Sequence, residues 1–584
     1  MHGIGQQGND QLASKYLLTL KLLGLLLTTT YLTLLLLSFR FEYHVPGQER
    51  PLLRVLCLFV GSFLIYLLAI FCALRAKQNR KLLAVIVSGS LLFRLLMVFS
   101  TPIQEIDIYR YLWDGLVFSQ GVTPYAYTPQ QVLTGSVDEE SLPEDLQRLV
   151  KIHQDFPAVG EILQRIHYPD LTTVYPPISQ FIFGLVALST PVDASITARI
   201  IFMKCGIVVF DMATFGVVLL LLKLVRWPVG FSLVYGWCPL LIKEIAGSGH
   251  HDVIAVFLVT CALYCLAKVL QTEKNTRFSA GVRYALWGIL WLVLGVGAKI
   301  YPVVLIPLYC TGVTQRLGWR WGATVTLTGV VGSACVMSPM FLPARQEQGQ
   351  LGEVYFSFEA VPYLPEDETF SGWQGRTGLE TFWNSWEMND LIFLICFENL
   401  KPTSTLPSES VAWFSLVPEQ FRDRWIVSTA ENFGIHSEQM AFYVARAATL
   451  GVFFVLLGVF AVQVAGSLDV THWLRAAFLT IAWFWLLSPT QNPWYWSWCL
   501  PLVVFARSRV WLWMSGCLFF YYLRFWCIDH WGRADVLGSG YTGETFFDFV
   551  VTWIEFAPWM FCLALSWRFR ERTKGSDTPG TAVS

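Results

Sequence analysis

Two carboxylates one residue apart, Glu105 and Asp107, follow directly on an apolar run and open a long hydrophilic segment. A carboxylate at a membrane–water boundary is partly desolvated. It can serve as general base on a hydroxyl, given hydrogen-bond reach and a modestly raised pKa. If the next stretch is helical, Asp107, Arg110, Tyr111 and Asp114 share one face at i, i+3, i+4 and i+7. The plainer alternative is two solvated loop acids, with Asp114 paired to Arg110.

Three further polar strings interrupt apolar sequence: His250-His251-Asp252, Lys299-Ile300-Tyr301-Pro302, and Ser488-Pro489-Thr490-Gln491-Asn492-Pro493-Trp494-Tyr495. A metal needs about three converging ligands, and adjacent histidines on a helix point to different faces. The His-His-Asp string therefore suits sugar-hydroxyl binding, or helix capping by Asp252, better than a metal. Cys261 and Cys265 share a helix face, but two thiols alone make a poor metal site, and the 13 cysteines read as small buried hydrophobes. No metal site is expected, and no cofactor is required. Trp494-Tyr495-Trp496 can stack on a sugar face or a polyprenyl chain, or can belong to an aromatic belt.

The elements that must position these residues are set by lipid. The chain has 584 residues, of which 54% are hydrophobic, 15% aromatic and 14% charged; its mean hydropathy is +0.50. An ordinary soluble domain carries roughly a quarter charged residues, so a bilayer must solvate much of this one. The net charge of −1 gives no electrostatic ground for nucleic-acid binding. Apolar runs near 17–38, 52–74, 82–100, 199–222, 229–246, 252–270, 284–298, 300–314, 321–343, 440–465, 473–488, 494–506, 509–527 and 546–566 give about 14 spans. The first run lacks a cleavage site and reads as a start-transfer anchor.

Hydrophilic segments at 101–175 and 344–439 break the pattern, and they divide the chain into a module 1–343 with loop 101–175, a second loop 344–439, C-terminal spans 440–567 and a basic tail 568–584. Arg75, Lys77, Arg80 and Lys81 crowd the connection after the second span, and Arg568, Arg570, Arg572 and Lys574 follow the last; both regions are expected to be cytoplasmic. The short connections carrying Lys223 and Arg226, Arg316 and Arg320, and Arg507 and Arg509 agree. Both termini then lie inside and both long segments outside, the first with 11 Asp/Glu against 4 Lys/Arg. Residues 176–190 are apolar but too few to cross, so they read as re-entrant or interfacial. On this topology all four polar strings meet at the outer face, where ionisable groups near the bilayer are a functional hypothesis by default.

The strings Asp107-x-Tyr109-Arg110-Tyr111-x-Trp113-Asp114-Gly115, Gly121-x-x-Pro124-Tyr125, Tyr175-Pro176-Pro177, Gly249-His250-His251-Asp252, Ala298-Lys299-x-Tyr301-Pro302 and Ser488-Pro489-x-x-x-Pro493-Trp494-Tyr495 resemble those of the GT-C superfamily of membrane glycosyltransferases. The likeness is to the bacterial polyprenol-phosphate-mannose-dependent mannosyltransferases of the glycosyltransferase 87 type, and it runs in family order from residue 105 to about 500. The resemblance implies an all-α GT-C-like bundle in a bacterial cytoplasmic membrane. It also implies inverting transfer of a hexose, mannose foremost, from a polyprenyl-phosphate carrier to a lipid- or glycan-linked hydroxyl. It gives the base to the acidic motif. This chain has Glu105 where Asp is more usual, so Asp107 is favoured and Glu105 stands second. Arg110, Lys299 and Arg376 are the cations able to steady a departing phosphate; Lys299 matches the family string and is alternatively a snorkelling anchor. The remaining matched side chains, Tyr111, Asp114, Tyr125, Tyr175, His250, His251, Asp252, Tyr301, Trp494 and Tyr495, are expected to bind substrate.

Two other readings stay open. Asp211 and Glu244 lie in or near spans, as a lipid-sugar flippase or secondary transporter would require. A lipid-linked glycan polymerase or ligase would also use a large external loop.

Overall fold

A computed structural model describes residues 2–42, 49–136, 142–273, 278–341, 378–402, 411–506 and 508–575. Among these the chain is helical throughout, and the single β-type pairing is an isolated parallel bridge between Met388 and Thr490. Among the described residues nine helices are long and apolar enough to cross a membrane, ten if the bent pair Val229–Gly236 and Pro239–Gly247 is one span. Their outward side chains are aliphatic, for instance Leu22 at 59% exposure and Val455 at 68%. Water would solvate such faces poorly and lipid solvates them well. This is an integral membrane protein.

Helix ends follow local chemistry. Asn79 closes the connection after Leu52–Arg75 and caps Arg80–Val98 by accepting from the Lys81 and Leu82 amides. Thr128 and Gln131 form a reciprocal capping box on Pro129–Thr134. Elsewhere the apolar runs are broken, 300–314 at Pro302 and Pro307 and 494–506 at Pro493 and Pro501. Residues 300–314 become a 3₁₀ turn, Tyr301–Leu305, leading into the 12-residue helix Ile306–Leu317. Residues 494–506 become two 3₁₀ segments, and 509–527 a chain of short pieces from Val510 to Trp531. The run at 473–488 is the 17-residue helix Val470–Leu486.

Residues 176–190 hold a helix of 12 residues, Pro177–Leu188. At 1.5 Å per residue it spans about 18 Å, against roughly 30 Å of hydrocarbon, so its length is that of a re-entrant or interfacial element. It packs on Asp107–Ser119, the first helix of the long segment, where Gly115 lets the backbones meet: a Cβ there would lie 2.5 Å from the Phe183 carbonyl oxygen.

The innermost span is Val253–Leu270, 78% buried over its most apolar stretch. Beside it the bundle holds a buried ion pair, Arg94 Nε to Asp211 Oδ2 at 2.5 Å. Arg94 also donates to the Gly236 and Ser90 carbonyls, and the Tyr235 hydroxyl donates to Asp211 Oδ1 at 2.8 Å. Asp211 is thus ion-paired and hydrogen-bonded through both of its oxygens.

Candidate functional site

The four polar strings come together at one end of the bundle. The bent pair ends in a π-helical turn, Ile242–Gly247, which leads to Gly249 at φ +81°. A side chain there would strike Ile108, its Cβ 2.7 Å from Cδ1, so glycine meets both the backbone and the space requirement. The next three side chains then diverge. His250 stacks flat on Trp494 at 4.0 Å. His251 turns edge-on to Tyr111 at 4.9 Å and Tyr175 at 4.7 Å. Asp252 points to Lys299, whose Nζ lies 3.0 Å from Oδ1, and accepts from Trp498 Nε1 at 2.7 Å.

Asp252 makes no side-chain bond to its helix N-terminus, which corrects the capping expectation: its lone pairs are taken by Lys299 and Trp498. Lys299 also lies 4.6 Å over the Tyr495 ring. Tyr301 and Tyr495 sandwich Trp498, at 4.1 and 4.6 Å. Lys299 is therefore a held, partly exposed cation (16%) rather than a free snorkelling anchor. Trp494, Tyr495 and Trp496 are all buried, so they are not an aromatic belt. Trp496 packs on Trp485 and donates to Ser515 Oγ.

The Asp107–Ser119 helix confirms the shared face. The Tyr111 hydroxyl donates to Asp107 Oδ2 at 3.4 Å, and Arg110 Nε donates to Asp114 Oδ1 at 3.0 Å. Asp114 also accepts from Thr173 Oγ1 at 2.5 Å and Gln180 Nε2 at 3.0 Å, while Arg110 Nη2 donates to the Leu171 carbonyl. Arg110 and Asp114 thus fasten the helix to residues 171–180 and are unavailable to a substrate. Tyr125 does the same work, its hydroxyl donating to the Tyr175 carbonyl at 2.8 Å. Arg376 lies outside the described residues.

The two acids differ in access. Glu105 is 8% exposed, its Oε1 buried without a hydrogen-bond partner. Burial holds its carboxyl well above the usual carboxylate range; Lys243 opposes this, and the Glu244 and Asp107 charges add to it. The residue before it, Gln104, sits at φ 56°, a left-handed conformation uncommon outside glycine. Asp107 is half-buried. Its charge is felt by Tyr111, Tyr175, His167, Tyr168, Tyr495 and Tyr521, the ring of groups around it. Burial holds the His251 imidazole well below its ordinary pKa, helped by Lys299 and His250, so it is neutral.

Behind Glu105 lies a buried cluster in which Glu244 Oε2 is 3.2 Å from Lys243 Nζ and 3.4 Å from His250 Nε2, off the line of a hydrogen bond for the latter. The Tyr522 hydroxyl donates to Glu244 Oε1 at 2.6 Å. Tyr522 and Trp498 are members that sequence reasoning missed, since both sit inside apolar aromatic runs with nothing local to mark them. His167, Tyr168 and Trp386 are brought in by the turn at 168–171 and by the Met388–Thr490 bridge, and no spacing rule announces either contact.

No protein-family model matches the chain, and comparisons with curated proteins and with solved structures give no match.

Proposed function

We propose that this protein is an inverting, polyprenyl-phosphate-sugar-dependent hexosyltransferase, with mannose the leading candidate, acting at the extracytoplasmic face on a lipid- or glycan-linked hydroxyl. The observation that carries the reading is the half-buried Asp107 carboxylate at a bundle end, hydrogen-bonded by Tyr111, whose ring packs on Tyr175 and His251, next to the Lys299–Asp252 pair of the neighbouring strings. In this reading the acceptor hydroxyl loses its proton to Asp107 and its oxygen bonds to the anomeric carbon. The carbon–oxygen bond to phosphate breaks on the opposite face, and the polyprenyl phosphate leaves with the electron pair. Lys299, the partly exposed cation of the site, steadies that departing charge. Tyr175 and His251 line the sugar, and Glu105 shapes the floor. The shorter helices Ile306–Leu317 and Val470–Leu486 and the broken segments 493–506 and 510–531 complete a GT-C-like set of about 14 crossings, with both termini cytoplasmic.

Purified protein incubated with polyprenyl-phosphate mannose or glucose and a glycoside acceptor is expected to transfer the sugar. Asp107→Asn is expected to lower transfer by about 10²–10⁴-fold, the usual weight of a general base, with expression and folding intact. Near-normal activity in that variant would sink the base assignment.

A flippase reading draws on the 42° break of the bent pair, which carries the buried Lys243 and Glu244. It requires fluorescent polyprenyl-phosphate sugar to cross proteoliposome membranes without sugar transfer, and Asp107→Asn to leave that crossing unchanged.

A further inference from the structure

In the loop that Arg110 ties to the Asp107–Ser119 helix through the Leu171 carbonyl begins a strip of partly exposed aromatic rings that the transfer chemistry does not use. His167 packs on Tyr168 at 4.7 Å, Tyr168 on Trp386 at 5.5 Å, and Trp386 on Phe382 at 5.3 Å. None of the four is buried, and His167 is exposed. The strip joins the two hydrophilic segments, more than two hundred residues apart in sequence. Both of its ends are built. Tyr168 is held at φ 54°, a conformation costly for a tyrosine, with its carbonyl accepting the Leu171 amide at 3.1 Å. The Trp386 carbonyl accepts the Thr490 hydroxyl at 3.2 Å, and Met388 pairs with Pro489 and Gln491 in the adjoining bridge. The polar groups whose fields reach Tyr168 are Asp107 on one side and Arg524 with Glu544 on the other; Arg524 and Glu544 are themselves ion-paired.

Aromatic faces rimmed by a carboxylate and a guanidinium suit a flat ligand with apolar C–H faces and hydroxyl edges. A pyranose ring is that ligand; an alkyl or isoprenoid chain would leave the rim charges unused. Resting on the transferase reading, we propose that the strip is the acceptor subsite. The acceptor is a glycoside whose ring stacks on Tyr168 and Trp386 and whose hydroxyl is thereby presented to Asp107.

The test is saturation-transfer NMR on the purified full chain with octyl α-D-mannopyranoside and no donor present. Saturation is expected at the pyranose C–H protons. Trp386→Ala and Tyr168→Ala are each expected to weaken binding about three- to tenfold, the scale of one aromatic stack, while Trp386→Phe keeps most of it. Saturation confined to the octyl chain, equal competition by octyl tetraethylene glycol, or an unchanged Tyr168→Ala variant would each overturn the proposal. Should Trp386→Ala fail to fold, Trp386→Phe against Tyr168→Ala decides the matter. Because no donor is present, glycoside binding without any transfer in the separate donor assay would defeat the transferase reading and leave this subsite standing.

Discussion

At the scale of single residues, the two acids of the E-x-D string separate by burial. Glu105 keeps its proton well above the ordinary carboxylate range because it is desolvated. The folded state therefore binds that proton more tightly than the unfolded chain, whose glutamate titrates near its ordinary value of about 4.3. Stability should fall as pH rises from there through the folded pKa, the reverse of a salt-bridged acid. Glu105→Gln is expected to remove this loss, so its melting temperature, measured in detergent from pH 4 to 8, should gain on the parent as pH rises. A constant offset would refute it. His251 runs the other way. Its folded pKa lies below the unfolded one, so it costs stability as pH falls below about 6.5. His251→Gln should flatten the acid side of the parent's curve, and an unchanged acid limb would count against burial as the cause. Legibility at this scale was uneven. The Asp107/Arg110/Tyr111/Asp114 face could be read from helical spacing alone, because neighbours on a helix are fixed by geometry. The Arg110–Asp114 pair was legible as well, but the ties to Leu171, Thr173 and Tyr175 were not, because those partners come from a loop whose path no local rule dictates.

At the scale of elements, the site rests on one helix pair. Asp107–Ser119 lies against Pro177–Leu188 at Gly115 and is tied to residues 171–180 by Asp114. Gly115→Ala should force the pair apart, at a cost of about 1–3 kcal/mol for overpacking. Asp114→Ala should cost more, about 3–5 kcal/mol, since it strands the Arg110 guanidinium along with Thr173 and Gln180. Denaturation of the two variants in detergent ranks them, and equal stability would show that the network carries no more than the packing. The short apolar run at 176–190 was readable as an element that does not cross, because length alone decides it. The segments 493–506 and 510–531 were read as spans from their apolarity, which does not show that each is divided into short helical pieces.

For the whole molecule, an all-helical membrane protein was plain from composition, since a chain with so little charge has no other solvent. Sidedness rests on the distribution of Lys and Arg. With the native cysteines replaced by serine, Gln154→Cys is expected to react with a membrane-impermeant maleimide on intact cells. Lys81→Cys is expected to react only after permeabilisation. The opposite pattern would invert the topology and move the site to the other face.

The Arg94–Asp211 pair carries a consequence for how the protein is made. The two partners are 117 residues apart in the chain. At roughly 5–20 residues per second, the helix Arg80–Val98 leaves the ribosome about ten seconds before its counter-charge does. An unpaired arginine within a span is costly, up to roughly 2.5–3.5 kcal/mol at a helix centre on the insertion scale. The nascent third helix therefore has reason to stay beside the insertion machinery until Ile196–Leu224 arrives, so the two helices enter lipid as a unit.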